Sequence, residues 1–321
     1  MKKFFKALLV IIGAVILLAG IAAIFISMRS MPTQATEKKD IHVDLTPARV
    51  EQGTKLASML CKSCHYNEQT KKFTGRELTE APQFGKIFSK NITQDQDAGI
   101  ARWTDGELIY FIRTGIRKDG RYVPPYMPKL VNISDEDLYS IIAFLRSGNL
   151  WVQPDKTLQP ESKPSFLPKF LVTIGAFKPF PYPSKKIEGP DTTDKVKWGQ
   201  YIALYQLECY ACHSQDFSTN DYFSPQKSTG FFAGGNKMYD ENKHEIYTLN
   251  ITPDEATGIG KWTEDEFEKA IRFGQLPGNQ PALRKPMIPY ANLTEAEAKA
   301  VYAYLRTVPT ISNKVERKFS E

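Results

Sequence analysis

The N-terminal segment is the most apolar part of the chain. Residues 7–28 contain no charged side chain, and three lysines precede them. As a helix rising about 1.5 Å per residue, this segment would span about 33 Å, enough to cross the hydrocarbon core of a bilayer. A cleaved signal peptide usually has a shorter apolar region of about 7–15 residues, although a small-x-small cleavage site can be drawn at Gly20-Ile21-Ala22. We expect a retained transmembrane anchor over residues 1–30, with cleavage as the alternative.

The rest of the chain repeats itself at an offset of 159–160 residues. Two copies of this length predict two similar domains, over residues 46–150 and 191–312, rather than an array of short repeats. The matched segments are Asn91-Ile92-Thr93 with Asn250-Ile251-Thr252, Gly99-Ile100 with Gly258-Ile259, Trp103-Thr104 with Trp262-Thr263, and Phe144-Leu145-Arg146 with Tyr304-Leu305-Arg306.

Apolar positions within each copy follow a helical period, and sustained strand alternation is absent. Helix starts are predicted where Ser or Thr stands three residues before an acidic side chain, as in a capping box. These pairs are Thr104 with Glu107, Thr263 with Glu266, Ser134 with Asp137, and Thr294 with Glu297. Further helices, Val50 to Leu60 and Val196 to Leu207, should deliver the first cysteine of each copy. The predicted fold class is therefore all-α.

The two copies are joined by residues 151–190, which contain eight prolines. Prolines at this density exclude a continuous helix and stiffen the connection. The apolar stretch from Phe166 to Phe177 interrupts this linker and is too short to span a membrane. We expect it to pack across the junction between the domains.

All four cysteines lie in two Cys-x-x-Cys-His pentapeptides. This spacing is the attachment signature of c-type haem, in which two thiols bond to the porphyrin and the adjoining His is the proximal iron ligand. A zinc site needs Cys or His ligands at other spacings, and a thioredoxin-like pair needs no following His. We therefore predict two covalent haem c groups. The attaching residues are Cys61, Cys64, Cys209 and Cys212, and the proximal ligands are His65 and His213.

Each copy also offers a methionine as the second iron ligand. Met127 and Met287 each stand next to a proline, seven residues before the Ser or Thr that opens the last predicted helix. A single Met is usually a core filler, but recurrence at equivalent positions favours ligation of the iron. The rival for the second iron is His244, in an insertion of about eleven residues within 214–247. His42 is predicted to be a solvated linker residue.

Composition adds little to these predictions. The net charge of +6 and the apolar content of 41% are ordinary for a globular protein with a solvated surface, although a mild positive excess can favour anionic lipid or an acidic redox partner. The sequence contains neither a Gly-rich phosphate loop nor a nucleic-acid-binding motif. Nucleic acid is therefore not an expected partner.

Further residues around the pentapeptides match a known family. In the first copy they are Phe84-Gly85-Lys86-Ile87-Phe88-Ser89-Lys90-Asn91-Ile92-Thr93, Gly99-Ile100-x-x-Trp103-Thr104 and Met127-Pro128. In the second copy they are Ala233-Gly234-Gly235, Asn250-Ile251-Thr252-Pro253-Asp254, Gly258-Ile259-Gly260-Lys261-Trp262-Thr263 and Met287-Ile288-Pro289-Tyr290. The chain resembles class I cytochrome c domains from the haem subunits of membrane-bound bacterial alcohol, aldehyde and gluconate dehydrogenases. Those subunits typically carry three haem motifs and are anchored differently, whereas this chain has two motifs and an N-terminal apolar helix.

The resemblance implies two tandem class I cytochrome c domains after a single transmembrane helix. Gly53 and Gly199 would lie where the first and last helices of each domain cross, since glycine lacks the Cβ that blocks a close approach. Phe144 and Tyr304 would be their partners on the last helices. Trp103 and Trp262 recur beside the Asn-Ile-Thr loops; they are either core residues or donors of an indole N–H to a buried haem propionate.

These features together predict a single-pass protein of the inner membrane whose soluble part faces the periplasm, because proteins that it resembles receive their haem outside the cytoplasm. It would be an electron carrier rather than an enzyme. The expected donor is a dehydrogenase or quinol oxidiser, and the expected acceptor is a terminal oxidase or another cytochrome. The alternative is a dihaem peroxidase or a thiosulfate-oxidising enzyme. A peroxidase needs one open iron position and the thiosulfate enzymes typically use a distal Cys, so the matched methionines favour a carrier.

Overall fold

A computed structural model describes residues 2–80, 82–240, 244–278 and 280–316. Residue 1 of the predicted anchor and residues 241–243 of the predicted insertion lie outside this part. The apolar N-terminal segment forms helix α1 (Lys2–Met28), and none of its side chains is buried. Its length and composition are sufficient to cross a membrane. The chain is therefore helix-dominated with an N-terminal apolar helix, as predicted.

Two sets of helices follow α1 in the same order. The first unit contains α2 (Pro47–Leu60), α3 (Lys62–His65), α4 (Asp105–Thr114) and α5 (Asp135–Leu145). Its short strand β1 (Gly85–Lys86) pairs antiparallel with β2 (Lys163–Pro164), and α6 (Phe166–Thr173) follows β2. The second unit contains α7 (Lys195–Tyr201), α8 (Cys209–His213), the antiparallel strands β3 (Lys237–Tyr239) and β4 (Glu245–Tyr247), α9 (Glu264–Phe273) and α10 (Glu295–Leu305).

The four helices with predicted capping residues begin where the sequence predicts, whereas α2 begins at Pro47 rather than at Val50. Full capping boxes open α4 at Thr104, α9 at Thr263 and α10 at Thr294, so both the side chain and the backbone of each cap are paired. Ser134 caps α5 by accepting from the amide of Asp137. The predicted helix over 196–207 differs from the structure, because α7 ends at Tyr201 and continues as a π-helical turn, Ile202–Gln206. A π turn accommodates an extra residue, which periodicity does not reveal.

Close helix crossings hold each unit together. α2 crosses α5, and α7 crosses α10, with glycine at each crossing. A Cβ on Gly53 would lie 1.8 Å from Ser140 O and 2.9 Å from Phe144 Cβ, and a Cβ on Gly199 would lie 1.8 Å from Ala300 O. The two backbones therefore touch, as the resemblance implied. Phe144 is a partner as expected, whereas the second crossing is closest to Ala300 rather than to Tyr304.

The apolar stretch of the linker lies in a different place from the one predicted. Within residues 166–177, α6 packs against α1 and against the first unit, and Lys169 Nζ donates to Ser27 O at 2.5 Å. The linker contacts the second unit later, where the Phe180 ring lies 5.1 Å from the Tyr222 ring. The sequence could not place this stretch, because an apolar face does not by itself indicate which neighbour it packs against.

Substitution at the first crossing tests this packing. We expect Gly53→Ala to lower the free energy of unfolding by about 2 kcal/mol, because the new methyl group would overlap the Ser140 carbonyl and the helices would have to separate. The helix propensity gained by alanine, about 1 kcal/mol, acts in the opposite direction and is the smaller effect. Denaturant unfolding of the detergent-solubilised protein, followed by far-UV circular dichroism, measures the change.

Gly148→Ala is the matched control, since no atom lies within 4 Å of the point that a Cβ would occupy there and such surface changes stay within about 0.5 kcal/mol. Equal unfolding curves for the two variants would contradict a backbone-to-backbone crossing at Gly53.

Candidate haem sites

Both pentapeptides fold as a short helical turn at the end of a longer helical segment. α3 continues directly from α2, since Cys61 N donates to Ala57 O and His65 N donates to Cys61 O, both at 2.9 Å. α8 begins after Glu208, whose φ of 48° turns the chain between the π turn and Cys209. Within such a turn, residues three and four apart are neighbours on the helix surface. Two thiols and an imidazole are therefore presented together in each unit.

The two motif histidines have the same orientation. His65 Nδ1 lies 2.8 Å from Lys90 O, and His213 Nδ1 lies 2.7 Å from Leu249 O. A carbonyl oxygen can only accept, so Nδ1 carries the proton and Nε2 of the neutral ring keeps its lone pair. Burial lowers the pKa of both imidazoles, which favours this neutral form. A neutral imidazole whose other nitrogen donates to a carbonyl is the usual state of a metal-ligating His.

The repeated Asn-Ile-Thr loops position the carbonyl oxygens that accept the hydrogen bonds from these imidazoles. Asn91 and Asn250 directly follow Lys90 and Leu249, and both are 4% exposed. Asn250 Nδ2 donates to Ile311 O at 2.8 Å, and its Oδ1 accepts from Thr252 N at 2.9 Å. Asn91 makes the equivalent contacts, with Asp155 O at 2.8 Å and with Thr93 N at 2.8 Å. The buried amide thus holds the preceding carbonyl against the motif His.

The four cysteines lie half-buried, and Cys61 and Cys209 pack against the apolar core. Burial raises the pKa of Cys61 and of Cys209 to about 12 and that of Cys212 to about 11. The pKa of Cys64 is also raised, again chiefly by burial. These thiols are therefore neutral at pH 7 and suit the edge of an apolar macrocycle. Among the described residues, no group of three or more His, Cys, Asp and Glu is arranged to hold a bare metal ion.

The methionines predicted as distal ligands occupy equivalent loops. Each loop is tied to the helix before it, by Leu130 N donating to Ile112 O at 3.1 Å and by Tyr290 N donating to Ile271 O at 2.8 Å. Met127 and Met287 are half-buried. The pKa of Tyr290 is raised by burial and, to a smaller extent, by the nearby thiol groups of the second motif. The Met287 loop therefore lies close to that motif.

Other candidate ligands lie elsewhere. His244 is exposed on the approach to β4, and its Nδ1 lies 3.3 Å from Asp240 Oδ2. The side chain of His42 is 88% exposed and its Nδ1 lies 3.7 Å from Asp105 Oδ2, in agreement with a solvated position. Met59, which has no counterpart in the second copy, is buried in the core of the first unit.

A buried lysine that the sequence did not identify lies in the Met127 loop, within electrostatic reach of the second motif. Lys129 is 4% exposed, and its Nζ donates to Pro124 O at 2.9 Å and to Met127 O at 2.5 Å. Burial lowers the pKa of Lys129, and the charge of Glu208 opposes that shift. Glu208 directly precedes Cys209. The repeat gave no signal here, because the position equivalent to Lys129 is Pro289.

The two units meet through reciprocal contacts. From the first unit, the start of α5 contacts α7, where the Tyr201 hydroxyl donates to Asp137 Oδ2 at 2.6 Å. From the second unit, the start of α10 contacts α2, where Lys55 pairs with Glu297. The asparagines just before these helices also cross the interface: Asn132 Nδ2 donates to Tyr222 O at 2.5 Å and Asn292 Nδ2 donates to Ser58 Oγ at 2.6 Å. Each last helix therefore docks beside the helix that leads into the other unit's pentapeptide.

The first unit gathers positive charge beside its motif His. The pKa of Lys90 is lowered by burial and then by the charges of Arg117 and Arg121. Arg117 Nε lies 3.5 Å from Asp119 Oδ1, and Arg121 pairs with the same carboxylate. The Arg117 guanidinium also lies 5.9 Å from the centre of the Trp103 ring. The three cations outnumber Asp119 and Glu161, so the cluster keeps a net positive charge that suits the carboxylates of a haem edge. In the second unit Leu249 replaces Lys90. Donation by Trp103 and Trp262 to such carboxylates stays a prediction.

The first unit matches a known family. Residues 50–149 match the family model of cytochrome c, and this match implies covalent haem c. The orientation of His65, the thiol positions and the nearby cations fit that group.

Similarity to known proteins extends beyond the first unit. The chain is 26% identical over 278 residues to the alcohol dehydrogenase (quinone) cytochrome c subunit of Gluconacetobacter polyoxogenes, covering 84% of this chain and 58% of that protein. It is 26% identical over 309 residues to the fructose dehydrogenase cytochrome subunit of Gluconobacter japonicus, covering 92% of this chain and 58% of that protein. It is 24% identical over 262 residues to a dihaem cytochrome c-type protein of Cereibacter sphaeroides, covering 78% of this chain and 82% of that protein.

These relatives confirm the predicted resemblance to cytochrome subunits of dehydrogenases. Such subunits transfer electrons and are not the catalytic components. The chain spans about 58% of the length of the two dehydrogenase subunits.

Removal of the second loop amide tests whether it holds the Leu249 carbonyl. We expect Asn250→Ala to lower the free energy of unfolding by about 2–3 kcal/mol, because the buried Ile311 O and Thr252 N–H lose their partner. Thr192→Ala, at an exposed position just after the linker, is the control and should change it by less than about 0.5 kcal/mol. Denaturant unfolding measures both, and a loss as small as that of the control would show that the loop is held by other contacts.

Proposed function

We propose that this protein is a membrane-anchored dihaem cytochrome c that carries single electrons on the periplasmic face of the inner membrane. The observation that carries the proposal is the identical setting of His65 and His213, each with Nδ1 on a backbone carbonyl and Nε2 left to bind iron. Haem iron supplies the one-electron chemistry when it is bound. The soluble part would comprise two tandem cytochrome c domains, over residues 46–150 and 191–312, joined by the linker 151–190.

Equivalent residues of the two units would have the same roles in binding haem. Cys61 and Cys64 in the first unit, and Cys209 and Cys212 in the second, would form the thioether bonds. His65 and His213 would be the proximal ligands, and Met127 and Met287 the distal ligands. Occupying both axial positions excludes oxygen from the iron, and a thioether ligand raises the reduction potential, which suits a carrier. No residue would make or break a substrate bond.

The reciprocal interface supports transfer of electrons between the two haems. Lys129 Nζ donates to Met127 O, and the charge of Glu208, immediately before the second pentapeptide, acts on the pKa of Lys129, so the Met127 loop lies within electrostatic reach of the second motif. Ser58, three residues before Cys61, receives the contact from Asn292. Each site is thus built partly against the other, and the separation between them would be set by one packed interface rather than by a flexible tether.

The charged residues before α1 indicate how the proposed anchor would be oriented. The apolar run of α1 is preceded by Lys2, Lys3 and Lys6, which favours a cytoplasmic N-terminus. The soluble units would then lie in the periplasm, where c-type cytochromes of the resembled family receive their haem.

The donor would be a dehydrogenase or quinol oxidiser, since two relatives are named as subunits of dehydrogenases. The acceptor would be a terminal oxidase or another cytochrome.

The number of haems can be tested directly. We expect the intact protein to carry two haem masses after acid–acetone extraction, because thioether bonds survive this treatment. Cys209→Ala/Cys212→Ala should retain one haem mass and Cys61→Ala/Cys64→Ala should retain the other, as read by mass spectrometry. An intact protein with a single haem mass would contradict the proposal of two attachment sites.

The axial ligands separate a carrier from a peroxidase. We expect Met287→Ala to open the second haem to carbon monoxide and lower its potential, leaving the first haem unchanged, because the thioether favours reduced iron. Met127→Ala should have the reverse effect. The measurements are carbon monoxide difference spectra and a redox titration. Met238→Ala, on β3, is the control and should alter neither haem.

Rapid carbon monoxide binding by the unsubstituted protein would indicate an open iron position and would favour the peroxidase alternative. Insensitivity to Met287→Ala, together with a spectral change in His244→Ala, would reassign the distal ligand of the second haem.

A further inference from the structure

α6 presents an apolar surface that the described chain leaves uncovered. Phe166 and Leu167 are 42% and 40% exposed, and Ile174, directly after the helix, is 58% exposed. Single exposed apolar residues are ordinary on a protein surface, but large ones grouped together mark a contact surface. We define the α6 surface as Phe166, Leu167 and Ile174.

The position of this surface in the fold indicates what covers it. Lys169, in the middle of α6, donates to Ser27 O at 2.5 Å, one residue before α1 ends at Met28. The same end of α1 is followed by Arg29, the first charged residue after the apolar run. The α6 surface therefore lies at the level where α1 would leave a bilayer.

The charge around α6 favours an anionic lipid surface. The stretch from residue 163 to residue 187 contains lysines but neither Asp nor Glu. Apolar side chains flanked by lysines are typical of segments that lie in the headgroup–acyl boundary and attract anionic lipids. The lysines closest in sequence to α6 are Lys163, Lys169 and Lys178, whereas Lys185 and Lys186 lie further along the chain and Lys186 pairs with Glu188.

We propose that the α6 surface is inserted into the interfacial layer of the same bilayer that α1 crosses, as a second point of membrane attachment. This proposal rests on the proposed anchor. A single transmembrane helix would leave the soluble units free to tilt, whereas two contacts fix their orientation. α6 is itself held to the first unit, because Ser165 N donates to Phe84 O at 2.9 Å and Ser165 Oγ donates to Gln83 O at 2.7 Å.

The fixed orientation would bring one candidate haem site towards the membrane. The Phe84 ring lies 6.3 Å from the Phe177 ring, just beyond α6, and 5.8 Å from the Tyr126 ring. Tyr126 directly precedes Met127. A continuous set of aromatic contacts therefore runs from the α6 region to the Met127 loop. In this orientation the first haem site would face an electron donor at the membrane surface, and the second unit would lie further along the chain towards a soluble acceptor.

Spin labelling of the full-length haem-loaded protein in vesicles that contain phosphatidylglycerol tests the proposal. When both haems are bound, the native cysteines are used in thioether bonds, so an introduced cysteine is the sole thiol for a nitroxide. Labels at Leu167→Cys, at Ile174→Cys, at Ile16→Cys within α1, and at Val196→Cys are compared. Val196, on α7, is the matched control because its exposure, 38%, is close to that of Leu167.

Power saturation in the presence of oxygen, which concentrates in lipid, or of a water-soluble nickel complex measures the depth of each label. We expect labels at 167 and 174 to collide more with oxygen than with nickel, and the label at 196 to show the reverse. Phe166→Ser combined with Leu167→Cys should move that label towards the aqueous pattern while the label in α1 stays deep.

Each other outcome overturns the proposal in a distinguishable way. A deep label at Ile16 with aqueous labels at 167 and 174 leaves the anchor intact and removes α6 from the membrane. Labels at 167 and 174 that neither reagent reaches would assign the α6 surface to a protein contact, either a partner or a second copy. An aqueous label at Ile16 would overturn the anchor itself, and the α6 proposal with it.

Discussion

The contact of backbone with backbone at the glycine crossings determines where the candidate haem sites lie. At Gly53 and at Gly199 a helix carbonyl from the last helix of the unit occupies the space of a Cβ. Each crossing sets the position of the helical segment that leads into a pentapeptide, and α2 reaches Cys61 without interruption. In the second unit the same path includes a π turn and a left-handed Glu208 before Cys209. The glycine crossing is kept, and the additional length is absorbed between the crossing and the motif.

The reciprocal interface makes the two units a single structural body. The start of each last helix contacts the first helix of the other unit, through Asp137 with Tyr201 and through Glu297 with Lys55. Exchange of equivalent contacts is how a two-fold interface between identical subunits is built, and here a duplicated chain uses the same device internally. The equivalence is incomplete, because Lys129 and Glu208, which interact electrostatically, correspond to Pro289 and Leu60 in the other copy. That asymmetry gives the two candidate sites different electrostatic surroundings, as does the replacement of Lys90, beside the motif His of the first unit, by Leu249 in the second.

The N-terminal helix is also coupled to the soluble part more closely than a flexible tether would be. The chain after α1 runs along the first unit: Thr33 forms a bridge with Arg121, Gln34 N donates to Gly120 O at 2.7 Å, and Val43 N donates to Asp105 Oδ2 at 3.1 Å. α6 contacts the end of α1 from the other side. Movements of the helix in a membrane would therefore be transmitted to the first unit, and through the reciprocal interface to the second.

The features that sequence alone determined are those governed by short spacings. The Cys-x-x-Cys-His motifs, the capping boxes at Thr104 and Thr263, the apolar span of α1 and the recurrence of Met127 as Met287 each depend on residues close together along the chain or on comparison of the two copies. Tertiary structure alone decided which distant groups meet. It brought the Lys90 and Leu249 carbonyls to the motif imidazoles, buried Lys129 near Glu208, and placed α6 against α1. None of these could be read from the sequence, because each depends on contacts between residues far apart in the chain and, for Lys129 and α6, on positions where the two copies differ or where no second copy exists.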